Sequence, residues 1–73
     1  MQAVYDKSTD ILMLYLSDAP VDESDEERPG IIMDYDIQGN VVAIEILDAS
    51  KRVSNPEEMR FTTMLPTPVK SGM

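Results

Sequence analysis

The chain has 73 residues with no cysteine and no histidine, and fourteen acids against six bases give a net charge of −8. A domain of this size buries only about 60% of its unfolded surface, so its core is marginal without a supplement. Without cysteine there is no disulfide or thiolate metal site, and without histidine the commonest general base and transition-metal ligand are gone. Self-association is then the leading supplement, and a hard cation held by carboxylates comes second. The charge repels phosphate backbones and anionic membranes, so neither nucleic acid nor a membrane is an expected partner. No apolar run approaches the ~20 residues that span a bilayer, and MQAVYDKS has neither a basic nor an apolar leader segment. The cytoplasm is the expected location.

Met1 to Tyr5 is the first apolar run, ended by the turn-forming Asp6-Lys7-Ser8-Thr9-Asp10. Ile11 to Leu16 is apolar at every position and has strand length. As a strand it has two covered faces, one for the domain's core and one for a partner. Asp18 to Pro29 follows, with five acids among the six residues Asp22 to Glu27, and reads as an exposed, mobile connection. Its sharper reading is a docking site for a basic protein partner.

Gly30 to Ser50 reads two ways. Asp34, Asp36, Gln38, Gly39, Asn40 and Glu45 fall at positions 1, 3, 5, 6, 7 and 12 of a calcium-binding EF-hand loop. The same stretch is also a β-hairpin turning at Asp36 to Asn40. Val41 to Leu47 is β-branched and alternating where the calcium loop needs a helix, and Gly30 to Met33 makes a poor entering helix. On a strand, Glu45 lies ~15 Å along the chain from Asn40, too far to close a cage. The hairpin is therefore the favoured reading, with divalent-cation binding at Asp34–Glu45 as the rival. In the hairpin, Val42, Ile44 and Ile46 form an apolar face, and Glu45 points to solvent on the mixed face.

Asp48 to Val53 reads as a helical turn capped by Asp48, with Lys51 and Arg52 at its end. Asn55 to Arg60 carries a second helix-start signal, an N-cap asparagine followed by Pro56 and two acids. Residues 1–60 read as one domain and 61–73 as an extended or disordered tail, in which Phe61, Met64 and Leu65 form either an arm for a neighbour or a cover for the chain's own sheet. Tyr5, Tyr15 and Tyr35 read as strand-end aromatics with wet hydroxyls. Ser8, Ser17 and Ser24 lack a histidine partner and no phosphate loop is present, so no enzyme is expected and no catalytic, cofactor or metal residue is assigned.

Tyr5-Asp6-x3-Asp10-x-Leu12, Pro29-Gly30-Ile31, Asp34-Tyr35-Asp36-x2-Gly39-x-Val41-Val42 and Ile44 to Ser50 together resemble a small bacterial and archaeal family, domain of unknown function 2283. The resemblance spans about residues 3 to 53, with Ala43 where relatives often have glycine. It implies an α+β fold: one antiparallel, meander-like sheet of about four strands with a short C-terminal helix. It implies no activity and carries over no functional residue. Some relatives are encoded beside toxin-like proteins, so an antitoxin role against a small basic partner is the alternative to a self-associating module, with a homodimer favoured.

Overall fold

The computed structural model describes residues 1–66. Strands β1 (Gln2–Asp6), β2 (Ile11–Tyr15), β3 (Glu23–Arg28), β4 (Ile31–Tyr35) and β5 (Val41–Leu47) precede one helical turn, α1 (Ala49–Arg52). They form one antiparallel sheet in the order β1-β2-β5-β4-β3. The expected α+β class and antiparallel sheet hold, with five strands. β3–β4–β5 is a meander, and its last strand docks against the β1–β2 hairpin, so β5 lies at the centre.

The extra strand is a correction. Asp22 to Glu27 is no mobile connection; most of it lies in β3, paired to β4 from Glu23↔Tyr35 to Arg28↔Ile31, with a bulge between Glu26 and Arg28. An edge strand needs backbone pairing on one side only, so its side chains can all stay exposed, as they do here. Acid content marks solvent exposure and says little about whether the backbone pairs.

The expected hairpin is β4–β5. Its turn is built by Asp36, whose Oδ1 accepts the N–H groups of Gln38 and Asn40, both at 2.9 Å. Gly39 completes the turn in the left-handed region at φ +85°. A bulge follows: Tyr35 pairs with Val41 and Asp34 with Ala43, leaving Val42 unpaired on β4. The Val42 carbonyl accepts Leu16 N–H and Ser17 N–H instead, at 2.8 and 3.3 Å. Val42 is 2% exposed, the largest fully buried side chain among the described residues, and borders a recess with Ala43 and Asp34.

At the opposite end of the sheet, α1 forms where a helical turn was expected, but its cap differs. Asp48 sits at φ +52° and makes no side-chain cap bond. Asp10 does this work from across the sheet: its carboxylate accepts Ser50 N–H at 2.9 Å and Ser50 Oγ–H at 2.6 Å, and its carbonyl accepts Ala49 N–H at 2.9 Å. Arg52 Nη2 donates to the Pro29 carbonyl at 2.6 Å, tying the helix to the β3–β4 turn.

The helix start expected at Asn55 does not develop. Asn55 Oδ1 accepts Glu57 N–H at 3.1 Å and its carbonyl accepts Glu58 N–H at 3.2 Å, which closes a single turn. One turn fixes several dihedrals for few hydrogen bonds, and Met59 and Phe61 beyond it are exposed, so no packing repays extension. Residues 61–66 have no regular structure, and the rest of the expected tail, 67–73, lies outside the described residues.

Candidate functional site

Residues paired directly across neighbouring strands project to the same side of a sheet. Pairing of Leu12 with Ile46, Leu14 with Ile44, Ile46 with Ile31 and Ile44 with Met33 therefore gathers six aliphatic side chains on one face. Asp34, Ala43, Glu45 and Met13 lie on the other. β2 thus carries apolar side chains on both sides, as expected from its unbroken run.

The aliphatic face has little cover. The segment from Val53 to Met59 crosses it above β1 and β2, held by a 3.1 Å ion pair between Lys7 and Glu57. Among the described residues the buried hydrophobics are Leu12, Val42, Ala43 and Ala49, and Leu14, Ile31, Met33, Ile44 and Ile46 are only partly buried. Asp25, opposite Met33, and Glu23, opposite Tyr35, border this face with negative charge.

The other face holds an acidic recess of about 480 Å³ near the connection from β2 to β3, bordered by Met13, Tyr15, Val21, Asp34, Val42 and Ala43. Asp34 is 5% exposed, and its Oδ1 accepts Ser24 Oγ–H at 2.5 Å. Glu45 pairs with Ile32 and so stands diagonal to Asp34. It is half-buried rather than simply solvent-facing as expected. Burial holds the Glu45 carboxyl above the ordinary glutamate value of 4.5, and a hydrogen bond to Asp34 and that neighbour's charge push the same way. The Glu45 carboxyl therefore holds its proton to a higher pH than a free glutamate does.

Asp34 and Glu45 are the first and last positions of the calcium-loop reading, and strand pairing brings them together. The positions between them do not join: Asp36 directs both carboxylate oxygens into its own turn, Oδ2 taking Asn40 Nδ2–H at 3.3 Å. Those bonds, led by the Asn40 backbone, hold its carboxyl below the usual range. Among the described residues no three carboxylates are grouped to hold a metal. The Ser24–Asp34 and Ser50–Asp10 pairs put a hydroxyl on a carboxylate, which is too weak a base to make a nucleophile of it.

Tyr5 and Tyr35 make bonds the sequence did not announce. Tyr5 donates its hydroxyl to Asp10 at 2.7 Å, and Tyr35 donates to Glu27 at 2.7 Å. Each phenol is pushed up to about 12, chiefly because its proton is held by that carboxylate. Asp10 moves the other way, its carboxyl lowered first by Ser50 and then by Tyr5. The Asp34–Glu45 pair follows from counting back from the Asp36–Asn40 turn through a one-residue bulge. The Asp10–Ser50 contact has no local signal at all.

The sequence profile of the family described as a protein of unknown function, DUF2283, matches residues 3–50. The match runs from the second residue of β1 to the second of α1, taking in nearly the whole sheet and both partners of the Asp10–Ser50 contact. No curated protein and no solved structure matches the chain. With 48 of its 73 residues inside that profile, the chain belongs to the DUF2283 family.

Proposed function

We propose that this protein is a non-enzymatic, self-associating module whose aliphatic sheet face is its interaction surface. The observation that carries this is the poorly covered face of Leu14, Ile31, Met33, Ile44 and Ile46. A second copy packed against this face would complete its core.

Sedimentation equilibrium at micromolar concentration tests the reading. A dimer is expected, and Ile44→Lys should return it to monomer while circular dichroism shows the sheet intact. A well-folded wild-type monomer at those concentrations would refute it.

A basic protein partner, the antitoxin version included, is the second reading. The exposed β3 edge favours it, because free backbone groups there stand beside Glu23, Asp25, Glu26 and Glu27. Co-purification from the native host in low salt is its test, and the absence of any basic protein would count against it. We place the module in the cytoplasm, since a chain without cysteine gains no disulfide from an oxidising compartment.

A further inference from the structure

Met59, Phe61, Met64 and Leu65 are 57, 75, 86 and 82% exposed, in a stretch with no secondary structure. Among the described residues these are four of the ten exposed large hydrophobics, gathered within seven residues. The charge changes at the same place. All fourteen acids lie at or before Glu58, and from Met59 onward the chain carries Arg60 and Lys70 and no acid. An acid-free apolar segment is thus attached to a strongly acidic body.

The sheet offers a matching surface. In its own chain the segment from Val53 to Met59 borders the β1–β2 half of the aliphatic face across a cleft of about 540 Å³. The β4 half, with Ile31, Met33 and Ile44, is bordered by Asp25 and Glu23 of β3. Apolar side chains flanked by carboxylates complement an apolar segment that carries arginine.

We infer that residues 59–65 are an exchanged arm: in the dimer, each copy lays Phe61, Met64 and Leu65 on the β4 half of its partner's aliphatic face, with Arg60 beside the partner copy's acidic β3. The inference rests on self-association through that face and names the segment that joins the two copies. Two reciprocal arms close the assembly at two copies.

The full-length chain tests this directly, because with no native cysteine any introduced thiol reacts without background. Chains carrying Met64→Cys and differently tagged chains carrying Met33→Cys are mixed and mildly oxidised. A disulfide between the two kinds of chain is expected. If instead a Met64→Cys/Met33→Cys chain links only within itself at every concentration, the arm folds back and exchange is overturned. In sedimentation, Phe61→Ser/Met64→Ser/Leu65→Ser should weaken the dimer about tenfold or more, as expected when buried apolar anchors are removed. Arg60→Glu should weaken it in low salt, and adding Asp25→Lys should restore it. A triple variant that dimerises as tightly as wild type overturns the arm and leaves self-association standing. A monomeric wild type overturns both. These arm residues are exposed in the single chain, so a folding failure is not the expected cause of a loss.

Discussion

Replacing Gly30 with alanine should cost more than replacing Gly39, and Arg52 should account for the difference. Both glycines lie in the left-handed region, at φ +82° and +85°. A Cβ there costs roughly 1–2 kcal/mol, from which about 0.4–1 kcal/mol is recovered because alanine restricts the unfolded chain. The net is about 1 kcal/mol at either site. At Gly39 nothing lies within 4 Å of the added carbon, so that net is the whole effect. At Gly30 the carbon would sit 2.5 Å from Arg52 Nη2 and 3.0 Å from its Cζ. The guanidinium must swing away and give up its 2.6 Å bond to the Pro29 carbonyl. An intramolecular hydrogen bond contributes about 0.5–1.5 kcal/mol, so Gly30→Ala should cost roughly 1.5–2.5 kcal/mol in total. Urea unfolding followed by circular dichroism, at one fixed protein concentration, measures this. In an Arg52→Ala background the cost of Gly30→Ala should fall to that of Gly39→Ala. An equal cost of Gly30→Ala in both backgrounds would falsify the docking of Arg52 on the β3–β4 turn.

Three further outcomes are expected. The folded state holds the Glu45 proton more tightly than the unfolded chain does, so this contribution to stability is present below the ordinary value of 4.5 and lost as pH rises through the higher folded value. Glu45→Gln should therefore stabilise the protein increasingly as pH rises from acid to neutral, and a urea-midpoint difference that stays flat across that range would sink the shared-proton reading. Asp10→Asn should let the Tyr5 phenol titrate nearer its ordinary 10.0, detected by ultraviolet absorbance, with Tyr35 unchanged because its proton is held by Glu27. Calorimetric titration with calcium should give no heat and no change in melting temperature, since Asp36 directs its carboxylate into the turn; a saturable heat signal abolished by Asp34→Asn would reinstate the cation site.

Much of the fold was legible because it rests on local chemistry. Ile11 to Leu16 has strand length and composition, and Asp36 with Gly39 carries its turn in two residues, so β2 and the β4–β5 hairpin were readable. The acidic β3 was not, because its stability comes from pairing to β4, while exposed side chains leave no periodic record. Asp48 had the right residue type for a cap in the right place, but the carboxylate of Asp10, 40 residues before the Ser50 it holds, took the position. The candidate site divides along the same line. The two-sided apolar strand was visible in sequence. The meeting of Asp34 with Glu45 depended on a bulge that moves Val42 out of step, and no pattern of residue types announces a bulge.

The central place of β5 also has a consequence in time. The β1–β2 and β3–β4 hairpins are local and can close early, but the sheet is one body only after β5 pairs with both β2 and β4. β5 is the last strand in sequence. Until it arrives, a growing chain carries two half-sheets, each with an open apolar edge that the finished protein hides. The hairpin of β5 with β4 is local, but its pairing with β2 is non-local, which makes that joining the slow event, and open edges invite other chains during the wait. The acidic residues of β3 sit beside one of those edges throughout. Like charge there disfavours pairing between two half-made chains, whatever part those acids play in the finished protein.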